Sequence, residues 1–156
     1  MKFVADIMVG KLAKYLRMAG YDVKYINNIT DEELTRIAKN EKRILLTRDS
    51  LLLMKKEFKN EHIKAILIKG DNLIEQLEQV KSELGIRLKP NLVRCLKCNQ
   101  ILTSVDKKEV KDRVPPYVYA TQQNFLYCKN CSQYYWRGTH YDNIKDIFQK
   151  IREKHN

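Results

Sequence analysis

Two sets of residues in this chain have the types and spacing for chemistry. Four cysteines stand as Cys95-x-x-Cys98 and Cys128-x-x-Cys131, with 29 residues between the pairs. Each such turn offers two thiolates, and two turns complete a tetrahedral, closed four-thiolate zinc site of the structural kind. Two disulfides are the alternative, disfavoured in a reducing compartment. The second set is carboxylates. Asp49 sits in RILLTRDSLLLM, Arg43 to Met54, an otherwise apolar stretch. A buried carboxylate there is costly unless a metal ion or hydrogen bonds hold it.

Whether Asp49 has company depends on the elements around it. Phe3-Val4-Ala5 reads as a strand, and GKLAKYLRMA as a helix with Leu12, Leu16 and Ala19 on one face, stopped by Gly20. DVKYI is a second strand. Thr30 and Glu33 form a capping box that opens the helix DEELTRIAK. RILLT and KAILI are further strands, with a helix expected over SLLLMKKEF between them. NLIEQLEQVKSEL is a helix that Gly85 ends. This alternation predicts an α/β fold, a parallel sheet with helices on both faces, whose ligands bind beyond the carboxyl ends of the strands.

Asp6, Asp31, Asp49 and Asp71 each fall where a strand gives way to a helix. The expected fold therefore gathers all four at one end of the sheet. Crowded carboxylates repel unless a divalent cation lies among them, and Mg²⁺ and Mn²⁺ prefer such hard oxygen ligands. Bound there, the ion would activate water for phosphodiester cleavage. Asp31, Asp49 and Asp71 could instead be helix N-caps, a role open to each on its own. Asp6 resists that reading, because Gly10 is the better helix start. Lys11, Lys14 and Arg17 follow Asp6 at helical spacing and could track a nucleic-acid backbone, or simply form the wet side of an amphipathic helix. Arg48 could hold a phosphate or lie solvated at a strand end.

The 156 residues are 44% hydrophobic and 31% charged, enough apolar surface for a folded core. The net charge is +11, with 18 basic against 13 acidic residues up to Pro90 and 12 against 6 beyond it. Polyanionic partners, nucleic acid above all, suit that balance. No apolar run approaches the ~20 residues of a membrane span. MKFVADIMV has an acid in its apolar stretch and does not read as a signal peptide. A cytoplasmic protein is expected.

ADIMVGKLAKYLRMAGYD, DEEL and RILLTRD, in that order, resemble the PIN-like ribonuclease domain of the mutator-seven C-terminal type. Val9 and Tyr15 stand where that family's opening motif carries leucine and tryptophan, exchanges that touch no acid. The resemblance continues through VKDRVPPYVY, CKNCSQYYW and RGTH, which follow the nuclease domain as a zinc ribbon in similar proteins. It implies a PIN-like nuclease domain over residues 1–88, then a zinc-ribbon domain with a C-terminal helix over 89–156; after Gly85, IRLKPNLVR itself reads as a linker. It further implies Mg²⁺- or Mn²⁺-dependent cleavage of RNA, with Asp6 as the first acid of the pattern, Asp49 as the aspartate of its Thr-Arg-Asp, and Asp31, or its neighbour Glu32, as the acid between them in sequence. Asp71 matches a less constant position.

The expectation is thus a metal-dependent ribonuclease carrying structural Zn²⁺ at Cys95, Cys98, Cys128 and Cys131, and Mg²⁺ or Mn²⁺ at Asp6, Asp31 and Asp49. Its ribbon, rich in tyrosine and lysine, would assist RNA or partner binding. The alternative is a non-catalytic RNA-binding or adaptor protein on the same fold. Because PIN-like domains often pair, a homodimer or a protein partner docked on the ribbon is left open. No Ser-His-Asp or Cys-His arrangement is visible. Of the three histidines, His140 lies in RGTH, while His62 and His155 carry no motif.

Overall fold

The computed structural model describes residues 1–60 and 62–154; His155 lies outside them. Four strands, β1 (Lys2–Ala5), β2 (Asp22–Tyr25), β3 (Ile44–Thr47) and β4 (Ala65–Leu67), form a parallel sheet in the order β2-β1-β3-β4. Helices α1 (Gly10–Met18), α2 (Asp31–Asn40), α3 (Lys56–Lys59) and α4 (Leu73–Leu84) connect or follow them.

Strand alternation assigns the two faces. Phe3, Ala5 and Leu46 point to one side, where they meet Leu12, Leu16 and Leu77 of α1 and α4. Val4 and Leu45 point to the other, against Leu34, Ala38, Leu52 and Phe58. Both faces of β1 and β3 are buried, as a parallel sheet covered on two sides requires. Thr30 caps α2 through the expected reciprocal box with Glu33. Gly85 ends α4 at φ 62°, a left-handed position that glycine adopts without strain.

The helix expected over 50–58 is broken instead. A 3₁₀ turn spans Leu52–Met54, Lys55 is extended, and only Lys56–Lys59 is α-helical. Leu52 and Phe58 both bury in the second face. Six residues apart, they would point about 120° away from one another on a continuous helix. Breaking the helix at Lys55 lets both reach the sheet.

Beyond the sheet lie a three-stranded antiparallel unit and two helices. Strands β5 (Thr103–Val105), β6 (Phe125–Cys128) and β7 (Gln133–Tyr135) pair in that order. Helix α5 (Pro116–Thr121) precedes β6, and α6 (Thr139–Glu153) follows β7. α6 packs back against α4 and α1, where Phe148 meets Tyr15 edge-on with centroids 6.3 Å apart. Its Ile144, Phe148 and Ile151 join Phe3, Leu12 and Leu46 in a core shared by the parallel sheet and the cysteine module. Residues 86–94, expected as a linker, are pinned down. Ile86, Leu88 and Leu92 are buried, Asn91 N–H donates to the Met18 carbonyl at 2.8 Å, and the Tyr21 hydroxyl donates to the Arg87 carbonyl at 3.0 Å.

Candidate active site and cysteine centre

Asp6 directly follows β1, and its backbone N–H extends the ladder by donating to the Leu46 carbonyl at 2.9 Å. That contact brings it beside the end of β3, where Thr47 is fully buried. The Thr47 hydroxyl donates to Asp6 Oδ2 at 2.7 Å and accepts the Asp49 backbone N–H at 3.0 Å. One threonine thus ties the two central acids into a single unit. Asp49 turns its Oδ1 onto the backbone N–H groups of Leu51 (2.8 Å) and Leu52 (3.2 Å), closing the turn that leads into the 3₁₀ segment. Among the described residues, no hydrogen bond occupies Asp6 Oδ1 or Asp49 Oδ2. Each of these two carboxylates thus keeps one oxygen without a hydrogen-bond partner among the described residues.

The flanking acids are held apart from this pair. Asp31 begins α2 but does not cap it; Lys55 Nζ lies 3.6 Å from Asp31 and 3.7 Å from Glu32. Asp71 is almost wholly exposed and lies 3.4 Å from Arg48, which also donates to the Gly70 carbonyl; Asn72, not Asp71, caps α4. Among the described residues, the cysteines are the one group of three or more potential ligands with their donor atoms drawn close together. The four acids therefore share an edge without forming a closed cage. An edge of that kind suits Mg²⁺, which keeps several waters and binds through one or two carboxylates plus substrate phosphate.

Lys11 and Lys14 are exposed on α1, but Arg17 corrects the expectation of a common basic face. It is 3% exposed, and its guanidinium donates to the carbonyls of Val23 (2.9 Å), Leu96 (2.9 Å) and Lys97 (3.0 Å). Residues 11 and 17 are about 120° apart on the helix, so Arg17 turns inward while Lys11 faces water. The last two carbonyls belong to the Cys95–Cys98 turn, so Arg17 fastens that turn to the edge of the parallel sheet. Burial lowers its pKa, opposed by negative charge at Cys95 and Cys98.

A second fastening is only faintly marked in the sequence. Asn99, at φ 72°, accepts the Val23 backbone N–H on Oδ1 (3.0 Å) and donates from Nδ2 to Asp22 (2.7 Å). Asp22 also receives Arg43, which is 6% exposed and pairs with Glu41 as well. Burial raises the Asp22 pKa, but hydrogen bonds from Arg43 and Asn99 outweigh it and hold it below the ordinary carboxylate range. An asparagine directly after Cys-x-x-Cys, a residue type that tolerates left-handed backbone, is the available signal.

The four cysteine sulfurs lie within 4.8 Å of one another, and none is in a disulfide. Cys98 and Cys128 sulfurs are 3.5 Å apart. A tetrahedral ion with Zn–S bonds of about 2.3 Å needs sulfurs about 3.8 Å apart, so the cluster is positioned to bind a metal ion. Burial pushes the Cys98 thiol up, but hydrogen bonds from the Gln100 backbone, Asn130, Cys131 and Cys128 bring it down to about 6. Tyr135 closes the centre, its hydroxyl 3.2 Å from Cys95 Sγ and accepting the Leu96 N–H at 3.1 Å.

The ribbon aromatics divide between core and surface. Trp136 packs edge-on against Phe125, Tyr127 lies against Tyr134, and Tyr117 stays 72% exposed. Among the described residues, no helix is long and apolar enough to cross a membrane.

Compared with known families, residues 1–148 match the model of the Mut7-C RNAse domain, whose description points to a ribonuclease-type function. Curated proteins and solved structures yield no match. The match runs through both the acid-bearing sheet and the cysteine module, and by its extent this chain belongs to the Mut7-C RNAse domain family.

Proposed function

We propose that the protein is a metal-dependent ribonuclease that hydrolyses RNA phosphodiester bonds at the carboxyl edge of its parallel sheet. The observation that carries this reading is the Asp6–Thr47–Asp49 unit, two carboxylates fixed by one buried hydroxyl, each with an oxygen left over. Asp6 and Asp49 hold Mg²⁺ or Mn²⁺ in this reading, with Asp31 or Glu32 and Asp71 as flanking acids. When bound, such an ion lowers the pKa of a water and neutralises charge developing on the phosphate. Thr47 keeps Asp6 oriented, and its burial excludes solvent from behind the pair. Lys11 and Lys14 contact the RNA backbone, and Arg48 positions Asp71.

Zn²⁺ at Cys95, Cys98, Cys128 and Cys131 is structural in this account, because four protein ligands leave no open position. A non-catalytic RNA-binding role draws its support from Lys55 and Arg48, which neutralise the flanking acids. The two readings part on one assay. Single-stranded RNA of mixed sequence, incubated with protein and Mn²⁺ or Mg²⁺, is expected to be cut, and a chelator present from the start to stop the cutting. RNA bound but intact under every metal tested would leave the non-catalytic reading standing.

A further inference from the structure

We propose that a cavity between the cysteine module and the start of α6 receives one unpaired nucleobase of single-stranded RNA, at a second site away from the acids. The proposal rests on the RNA reading above. The cavity, of about 190 Å³, is floored by Met18 and Leu96 and walled by Tyr135, Trp136, His140 and Tyr141. It holds several times the ~30 Å³ share of one water and falls short of the ~300 Å³ where drug-sized pockets begin. One planar ring suits it.

The surroundings have the chemistry of a base reader. A cleft that shares Trp136 with the cavity carries the amides of Gln122, Gln123 and Asn124. Another, sharing Tyr141, carries Arg87 and Lys89; Arg137 belongs to both clefts and lies 5.4 Å over the Tyr141 ring. Aromatic faces stack on unpaired bases, amides and imidazole bond to base edges, and cations meet the flanking phosphates. The 12 basic against 6 acidic residues beyond Pro90 favour a polyanion over a neutral peptide.

Two contacts hold the walls of the cavity in place. A Cβ on Gly138 would lie 2.8 Å from Trp136 Nε1, so only glycine lets the chain pass this close to the indole. Tyr135 joins its floor to the cysteine centre through Cys95 and Leu96. Met18 ends α1, whereas Gly10 begins it just after Asp6; nine residues of helix put the cavity roughly 13 Å from the acid edge. A strand reaching from one to the other passes α1, which exposes Lys11 and Lys14.

Trp136 is the chain's single tryptophan and reports on its own site. The full chain, without added Mg²⁺ or Mn²⁺, is titrated with a short end-labelled oligouridylate and with an abasic oligomer of equal length. Label anisotropy and Trp136 emission are followed together. Emission should be quenched in step with oligouridylate binding and unmoved by the abasic oligomer, which should bind roughly 5- to 150-fold more weakly, the range of one stacked base. Tyr141→Leu keeps an apolar wall without a π face and should erase most of that difference. The comparison of the two oligomers needs no variant and stands even if this one misfolds. Equal affinities, or anisotropy that saturates while emission stays constant, would overturn the base site and leave the RNA reading intact. Binding of neither oligomer would defeat the RNA reading, and this inference with it.

Discussion

Replacing Arg17 with methionine separates a structural arginine from an RNA-binding one. In the wild type its guanidinium donates to three carbonyls, of which those of Val23 and Leu96 are buried contacts. Methionine fills the space of the stem but donates nothing. Each buried carbonyl left without a partner costs ~1–2 kcal/mol. The expected loss is about 2–4 kcal/mol, or roughly 5–15 °C in Tm for a chain of this length. Thermal and urea unfolding measure it. The slope of log affinity for RNA against log salt should stay unchanged, because Arg17 touches no phosphate, whereas Lys14→Ala should flatten it by about 0.7–0.9. An Arg17→Met protein of wild-type stability with a flattened salt slope would refute the buried fastening.

Other consequences follow from the same contacts. Purified under reducing conditions, the protein should carry one zinc per chain, and Cys98→Ser should lose it and shed stability in the same unfolding assay; metal analysis finding none in folded protein would contradict the four-cysteine site. Asp22 and Glu41 have pKa values held below the ordinary carboxylate range. Their contribution is therefore complete above the unfolded pKa and lost as pH falls through the folded one. Unfolding midpoints should drop on acidification below about pH 4, and less steeply in Asp22→Asn. Gly85→Ala places a side chain at φ 62° in open space, so it should cost about 1 kcal/mol through backbone strain alone, read by urea midpoint.

Much of the fold can be read along the chain because its signals are local. The Thr30–Glu33 box, the Gly85 stop and the alternating strand residues act over a few positions, and each appears where its residues stand. Arg17 departs from its expected role because helical spacing says which residues share a face, not what packs on that face. Its partners, Leu96 and Lys97, lie some 80 residues away. The break at Lys55 has the same origin: SLLLMKKEF has helical propensity, but burying both Leu52 and Phe58 on one sheet outweighs it. Ile86 and Leu88 alternate as a buried segment does, a pattern hidden by the lysine, arginine and proline around them. At the acid edge, topology is legible and side-chain partners are not. Nothing local announces that Lys55 and Arg48 hold the flanking acids, or that Thr47 joins the central pair.

Asp49→Asn tests the centre most directly. Asparagine keeps a carbonyl oxygen for the Leu51 and Leu52 N–H groups and caps about as well as aspartate, so the fold and RNA affinity should persist. What it removes is the anionic oxygen available to a divalent ion. The charge stabilisation such an ion supplies is worth several kcal/mol, so cleavage in Mn²⁺ should fall by about 100-fold or more. Measured side by side on one RNA, unchanged binding with collapsed cleavage is the predicted result. Cleavage at the wild-type rate by a folded Asp49→Asn protein would leave this aspartate a cap and move the catalytic centre elsewhere.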